Sequence, residues 1–305
     1  MKTHRSLGVS FYRGNIQIAE VEQKKPALTA LAEGTTGLDI AAAGTDLAPD
    51  HPQLVDFIDN LKQLLKSAKV GSKTISFALP PESMFINSIP VDVTLKGPEL
   101  TSYLQWEIQQ YFPNAGPKDF ITDFHALPHK LQGAKQTFVV SVKRGVVGFL
   151  QNVAAGVGLQ LAVIDIDHFS TEKTLRVNYP EIAAHTVALF GIRKGALDAS
   201  LVHKYEMIDY RPYVATTPEE IHKAVLHYVK YLKQRDGIGT PEALILHGME
   251  VPREILKPLH EESGIQALAF NAMRKLTTPD KLKTAFGKES YRFTAAIGLA
   301  LRTPQ

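Results

Sequence analysis

The sequence of 305 residues contains no cysteine. This absence excludes disulfides, cysteine-ligated zinc, iron–sulfur clusters and thiol nucleophiles together. It is also typical of a cytosolic protein. The eleven histidines show no metal-ligand spacing, so we expect no metal site.

Long apolar runs are missing as well. The longest one, residues 153–164, holds two glycines and Gln160 and then meets Asp165. A membrane-spanning helix needs about 20 predominantly apolar residues. The N-terminus also lacks the apolar core of a signal peptide. We therefore expect a soluble chain that does not cross a membrane by itself.

Neither charge sign dominates the sequence. Lysine and arginine number 34 against 31 for aspartate and glutamate, a surplus of three. Nucleic-acid-binding domains usually carry a dense basic patch, so we expect no nucleic-acid partner. A composition with 44% hydrophobic and 21% charged residues is that of a folded protein and excludes disorder for the bulk of the chain.

The order of predicted elements occurs twice along the chain. Short apolar runs between turn residues predict strands, and apolar residues at helical spacing predict helices. The first copy has strands at 7–11, 16–21 and 28–33, a helix at 52–66, a strand at 74–79, a helix at 145–156, a strand at 159–166 and a helix at 168–178. The second copy has strands at 186–192, 196–203 and 205–210, a helix at 218–234, a strand at 243–246, a helix at 252–262, a strand at 265–270 and a helix at 293–301. This repetition predicts two related α/β units that face each other across a cleft. The strand at 159–166 is nearly continuously apolar, which predicts burial on both faces.

The first copy carries an extra segment that is too long for a simple connection. It contains an amphipathic helix at 99–112, with Leu104, Ile108 and Tyr111 on its apolar stripe. Strands are predicted at 85–89, 121–126 and 137–142. We therefore expect three parts: a first unit at 1–80 plus 159–180, an inserted subdomain at 81–158 and a second unit at 181–305.

Several stretches carry a resemblance to a known family. The duplicated unit with an insertion resembles the actin-like superfamily. Residues 79–87, 99–113, 163–180 and 295–302 resemble PilM-type type IV pilus assembly proteins, which are similar to the cell-division protein FtsA. The resemblance covers essentially the whole chain and is most specific at 99–113 and 163–180. It implies an α/β, actin-like fold, a duplicated ribonuclease H-like fold with two lobes and a small α+β insertion in the first lobe.

The resemblance also implies a nucleotide site made of two hairpin tips and a glycine-rich adenosine loop, which bind ATP with Mg²⁺. In the first tip Ser10 stands where the family has an acidic residue, and Tyr12 stands where it has a glycine. The rest of that tip is Arg13, Gly14 and Asn15. A glycine at the position of Tyr12 would let the backbone approach a phosphate, so the first tip is degenerate.

The second tip and the adenosine loop depart from the family pattern too. Gly191, Arg193 and Lys194 remain in the second tip, which lacks its aspartate, and the adenosine loop retains only His247 and Gly248. The basic tip residues are read as solvated turn residues, and nucleotide binding without turnover stays an alternative. We expect a pseudo-ATPase, hence no enzyme and no bound cofactor.

The resemblance further implies a cytoplasmic scaffold, peripheral at the inner membrane through its partner. That partner is the N-terminal cytoplasmic tail of a PilN-like protein, and through it a PilO- and PilP-like assembly. In the family the tail lies in a groove between the first lobe and the insertion. The candidate wall is helix 99–113 with the strands at 85–89 and 137–142. The predicted contacts are Leu104, Trp106, Glu107, Ile108 and Tyr111.

Three alternatives remain open at this point. One is an active actin-like ATPase whose tips have diverged. Another is the cytoplasmic domain of a GspL-like type II secretion component, although such domains normally continue into a transmembrane helix. Self-association, which occurs among actin-like proteins, is the third.

Overall fold

The computed structural model describes residues 4–44, 47–131, 133–235 and 239–302. These residues form two five-stranded sheets, one three-stranded sheet and nine α-helices. The strands are β1 (Arg5–Tyr12), β2 (Asn15–Glu22), β3 (Ala27–Thr35), β4 (Thr74–Leu79), β5 (Phe85–Asp92), β6 (Phe120–Leu131), β7 (Ala134–Lys143), β8 (Gln160–Ile166), β9 (Thr186–Arg193), β10 (Gly195–His203), β11 (Glu206–Ala215), β12 (Ala243–Gly248) and β13 (Gln266–Ala269). The helices are α1 (Ile40–Ala43), α2 (Leu54–Ser67), α3 (Gly97–Tyr111), α4 (Arg144–Gly156), α5 (Asp167–Asn178), α6 (Pro218–Lys233), α7 (Leu256–Ser263), α8 (Asp280–Phe286) and α9 (Thr294–Ala300).

The first five-stranded sheet has the order β3-β2-β1-β4-β8. Strands β1 to β3 are antiparallel, whereas β1, β4 and β8 run parallel. The β1–β2 turn places Arg13 and Gly14 at φ values of 45° and 71°, the left-handed conformations that tight hairpins need. Phe57 of α2 and Phe149 of α4 pack together beneath this sheet with ring centroids 5.5 Å apart.

The second five-stranded sheet repeats this topology with the order β11-β10-β9-β12-β13. Its helix α6 begins after Thr217, whose hydroxyl accepts a hydrogen bond from the backbone N–H of Glu220. Helix α9 is buried along its whole length and packs against β1 and α5, so the end of the chain returns to the first sheet. The prediction of an actin-like, duplicated α/β fold with two lobes is confirmed.

The inserted segment forms the three-stranded sheet, in the order β5-β7-β6. Helix α3 covers one face of it through Leu104 and Ile108, which pack against Val139 and Phe120. Helix α4 does not join this subdomain. Its apolar side, which includes Phe149, packs into the core of the first lobe. By packing, residues 144–156 therefore belong to the first lobe rather than to the predicted insertion at 81–158.

Two further features differ from the prediction. Strand β11 continues past residue 210 to Ala215, through Pro212. An edge strand tolerates proline because one row of its N–H groups has no partner in the sheet, and β11 is an edge strand. Helix α8 was not predicted because it is only seven residues long and packs on the core through two partly buried side chains, Leu282 and Phe286. Among the described helices, none combines the length and the apolar character needed to cross a bilayer.

Candidate functional site

The tips of the β1–β2 and β9–β10 hairpins meet at a cleft between the two lobes. Tyr12, at the end of β1, donates a hydrogen bond from its hydroxyl to Glu250 Oε1 at 2.6 Å. Glu250 follows β12 in the second lobe, so this contact bridges the cleft. Burial and the neighbouring Glu250 carboxylate both raise the pKa of the Tyr12 phenol. Tyr12 is therefore a neutral hydrogen-bond donor that ties the first tip to the opposite lobe.

Arg193, at the second tip, lies among three carboxylates. Its guanidinium donates to Asp198 of β10 and, at 3.2 Å, to Glu82 Oε1. It also lies 4.0 Å from Asp167 Oδ1. Burial alone would lower the pKa of Arg193, but the surrounding carboxylates raise it above its ordinary value. Burial raises the pKa of Asp167 to about 7, against the effect of Arg193.

This arrangement corrects the prediction that Arg193 is a solvated turn residue. Its side chain is only 11% exposed. Glu82 lies in the turn between β4 and β5, Asp167 in the first lobe and Asp198 in the second, so the guanidinium joins the two halves of the chain. Sequence reasoning missed these three acids as a group. Glu82 lies in a turn, Asp167 at the start of α5 and Asp198 in β10, and only the fold brings them together. The arginine occupies the position between the carboxylates that a cation would need.

A pair of buried histidines lies behind Arg193. His168 Nδ1 and His247 Nε2 are 3.1 Å apart, and the outer nitrogens contact Ser200 Oγ at 2.8 Å and Thr294 Oγ1 at 3.2 Å. Burial lowers the pKa of His168 to about 3 and also lowers the pKa of His247. Both rings are therefore neutral. They fit only because residue 191 is glycine, where a Cβ would lie 2.6 Å from His168 Nδ1.

The remaining predicted nucleotide-site residues lie around the same cleft. Ser10 is buried and donates to Gln17 Oε1 at 3.3 Å. Gly248 has a φ of 107°, and a Cβ there would lie 2.2 Å from the carbonyl oxygen of Ile192. Arg13 and Lys194 are exposed on the tips, beside Gly14 and Asn15.

Little empty space is left in the cleft. A cavity of about 30 Å³ remains, far smaller than the roughly 300–1,000 Å³ typical of a small-molecule site. Its lining includes Ser10, Tyr12, Gly191, Arg193, His247 and Gly248. Within the part of the chain that the structure describes, no group of three or more histidine, aspartate and glutamate side chains is placed to hold a metal ion.

A much larger groove, of about 600 Å³, lies between the first lobe and the insertion. One wall is β8 and the other is formed by β6 and β7. Both β8 and β6 are edge strands of their sheets. The apolar side chains that line the groove include Ile121, Phe138, Val140, Leu161 and Ile164. The expectation that strand 159–166 is buried on both faces is wrong, because β8 is half-exposed along this groove.

Three aromatic rings from three parts of the chain meet beside this groove. Phe138 of the insertion, Phe169 of α5 and Tyr210 of β11 have ring centroids 5.2 to 5.4 Å apart. The Tyr210 hydroxyl donates to Asp198 Oδ1 at 2.7 Å. The groove and the cleft are thus connected through one tyrosine.

The predicted partner contacts on α3 do not line the groove. Leu104 and Ile108 are buried in the core of the insertion and are not available to a partner, so these two predictions are wrong. These two side chains face Val139 of β7. Successive side chains of a strand point to opposite faces of the sheet, so the next one, Val140, faces the groove instead.

The other three predicted contacts lie outside the helix core. Trp106 and Tyr111 are each 55% exposed. Glu107 is half-buried and accepts a hydrogen bond from the hydroxyl of Tyr103 at 2.7 Å. None of the three borders the groove, so a contact of theirs with a partner stays a prediction about a separate surface.

Comparisons with known proteins agree with this architecture. A solved structure described as a PilM-PilN type IV pilus biogenesis complex matches with a TM-score of 0.77 and 18% identity, over 97% of this chain and 98% of that one. A Bacteroides thetaiotaomicron protein with actin-like ATPase fold and unknown function matches at a TM-score of 0.51 and 12% identity, over 88% and 91% of the two chains. The ethanolamine utilization protein EutJ from Carboxydothermus hydrogenoformans also matches at 0.51 and 12%, over 99% and 90%. None of the curated proteins compared matches the sequence.

The family is settled by the sequence itself. The model of the type IV pilus assembly protein PilM matches residues 48–211, which is more than half of the chain. The matched range runs from before α2 to strand β11, and it contains the whole inserted sheet and both walls of the groove. The chain therefore belongs to the PilM family of type IV pilus assembly proteins.

Proposed function

We propose that this protein is a scaffold of type IV pilus assembly that binds the N-terminal tail of a PilN-like inner-membrane protein in the groove between β8 and the insertion. The observation that carries the proposal is the apolar groove of about 600 Å³ between two edge strands. The similar structure described as a PilM-PilN complex supports a PilN-like partner. The proposal places the chain in the cytoplasm, at the inner membrane through this partner, which would link it to PilO- and PilP-like proteins.

The edge strand β8 suits an extended peptide. An edge strand presents a row of backbone N–H and C=O groups that its own sheet does not pair, and an added strand satisfies them. Strand β8 is seven residues long, which sets the length of segment that can pair with it. Alternate side chains of that segment would point toward the apolar lining of the groove. Backbone pairing thus supplies affinity, and the lining supplies a preference for apolar residues.

The second part of the proposal is that the cleft neither binds nor hydrolyses ATP. Hydrolysis needs preorganised charge around the phosphates and a positioned water. Here Arg193 neutralises the cleft carboxylates, and the contact of Tyr12 with Glu250 closes the space between the tips. A cavity of about 30 Å³ does not fit a nucleotide. No described feature favours an active ATPase or a secretion component, and self-association stays a prediction.

Peptide titration tests the groove. The probe is a fluorescent peptide with the N-terminal cytoplasmic sequence of the PilN-like protein of the same genome, measured by fluorescence anisotropy. Ile121 is 41% exposed on the groove wall, so Ile121→Ser removes an apolar contact without opening a core. We expect about tenfold weaker binding, since burying a large aliphatic side chain contributes roughly 1.5–3 kcal/mol.

The matched control is Trp106→Ala on α3, an apolar side chain that is 55% exposed and lies away from the groove. We expect its peptide affinity to equal that of the wild-type chain. Loss of affinity in Trp106→Ala with full affinity in Ile121→Ser would move the binding site to α3 and contradict the proposal.

Calorimetric titration with Mg-ATP tests the cleft. We expect no binding heat for the wild-type chain at concentrations up to the millimolar range and no phosphate release. Binding of Mg-ATP followed by phosphate release would overturn the pseudo-ATPase part and leave the groove part standing.

A further inference from the structure

One end of the apolar groove carries three acidic residues, Asp123, Asp165 and Glu172. Asp165 already has partners, since its Oδ2 accepts a hydrogen bond from Ser170 Oγ at 3.0 Å and pairs with Arg302. Asp123 is exposed, and its Oδ1 accepts the backbone N–H of Phe124 at 2.8 Å. These two carboxylates have protein partners of their own.

Glu172 differs from the other two. Its Oε1 atom is fully buried and has no hydrogen-bond partner among the described residues. Burial raises the pKa of this carboxyl to about 7; Arg176 opposes the shift, and Asp165 adds to it. A buried polar atom without a partner costs about 1–3 kcal/mol, so such atoms are rare in folded proteins unless something else supplies the donor.

The nearby cations are committed elsewhere. Arg176 donates to the carbonyl oxygen of Tyr205 and stacks on its ring, with the guanidinium 5.3 Å from the ring centroid. Arg302 pairs with Asp165. Three acidic residues therefore stand against two arginines at this end of the groove, and neither arginine donates to Glu172 Oε1, so a cationic donor would complement it.

We propose that Glu172 receives a lysine or arginine side chain of the extended segment that occupies the groove. This inference rests on the proposed function and specifies the chemistry of the partner: an apolar strand with one basic residue. Glu172 lies on α5, directly after β8. The basic residue therefore belongs at the end of the segment that passes the carboxyl end of β8. A charge-assisted hydrogen bond there satisfies the orphaned oxygen and fixes the register of the added strand.

A double-mutant cycle tests the pairing. One partner is the full chain, as wild type or Glu172→Gln, which keeps the shape of the side chain and removes its charge. The other is the peptide defined above, in its native form or with its basic residue replaced by norleucine. We expect Glu172→Gln to weaken the native peptide about tenfold and to leave the norleucine peptide unchanged. Glu219→Gln, at an exposed position on α6 outside the groove, is the matched charge control and should leave both affinities unchanged.

The outcomes separate the two levels of the argument. Equal loss of affinity for both peptides in Glu172→Gln, or no loss for either, would overturn the pairing while the groove remains the binding site. A wild-type chain that binds neither peptide would overturn the proposed function and this inference with it. Urea denaturation checks that the Glu172→Gln variant is folded. We expect its midpoint to be no lower than that of the wild type.

Discussion

The hydroxyl of Tyr210 donates a hydrogen bond to Asp198 Oδ1 at 2.7 Å, and Asp198 in turn accepts from Arg193. The ring of the same tyrosine lies 5.4 Å from Phe138, whose side chain lines the groove. One residue of an edge strand therefore contacts the insertion, the cleft and the wall of the groove. The stability of this junction is open to direct measurement.

Replacing Tyr210 by phenylalanine should destabilise the fold. The ring contacts remain, but Asp198 loses one of its donors, and a hydrogen bond to a charged group contributes about 1.5–3 kcal/mol. We expect a loss of that size in the free energy of unfolding, measured by urea denaturation. Tyr213→Phe, on the same strand, is the control, because the buried Tyr213 hydroxyl has no hydrogen-bond partner within the described part of the chain. Its removal should cost nothing, and equal losses in the two variants would argue against the Tyr210–Asp198 bond.

Replacing Arg193 by methionine should be more damaging. It leaves Asp198, which is 1% exposed, without its cation, and breaking a buried ion pair from one side costs about 3–5 kcal/mol. Lys194→Met changes the charge equally at the next, exposed position and should stay within about 0.5 kcal/mol of the wild type. Denaturant midpoints of the two variants measure these losses of stability. Similar values would mean that Arg193 is a solvated turn residue after all.

The buried histidine pair predicts a dependence of stability on pH. The folded-state pKa of His168 is about 3, below the value of about 6.5 expected when unfolded, so protonation favours the unfolded chain. The stability that neutral His168 contributes is complete above pH 6.5 and is lost as pH falls. The free-energy difference between wild type and His168→Asn should therefore shrink by about 1.4 kcal/mol for each pH unit between 6 and 4. Denaturation series across this range measure it.

Exposed His227 supplies the control for that series. Its side chain meets water in the folded and the unfolded chain, so the difference between wild type and His227→Asn should be constant over the same range. A constant difference for His168→Asn as well would contradict the burial of the pair.

Most strands and helices could be predicted from the sequence because they follow from local patterns of residues. Periodic apolar residues and turn residues located both copies of the unit and the insertion. The cleft was located by the resemblance of its hairpin tips, but the carboxylate group around Arg193 was not, since Glu82 is 111 residues from Arg193 and local patterns do not report such contacts. Of the predicted groove walls, strand 137–142 does line the groove as part of β7, whereas helix 99–113 and strand 85–89 do not. The apolar stripe of α3, with Leu104 and Ile108, indicates the face that packs on its own sheet, not the face that meets a partner.

The groove should bind its peptide more tightly as pH rises. With a pKa of about 7, Glu172 is mostly protonated at pH 6 and mostly ionised at pH 8, and only the ionised form pairs with a cation. The ionised fraction rises about tenfold over this interval, so the affinity for the native peptide should rise by about the same factor. Anisotropy titrations at both pH values measure this change, and Glu172→Gln should show none.

Other groups near Glu172 have to be separated from this effect. Asp165, Asp123, Arg176 and Arg302 face it, and His125 lines the same groove. The titrations are therefore repeated in a His125→Asn background, which removes the histidine from the groove lining. Persistence of the tenfold rise in that background assigns it to Glu172. Its disappearance there, or its survival in Glu172→Gln, would assign the pH dependence to another group and remove Glu172 as the cation acceptor.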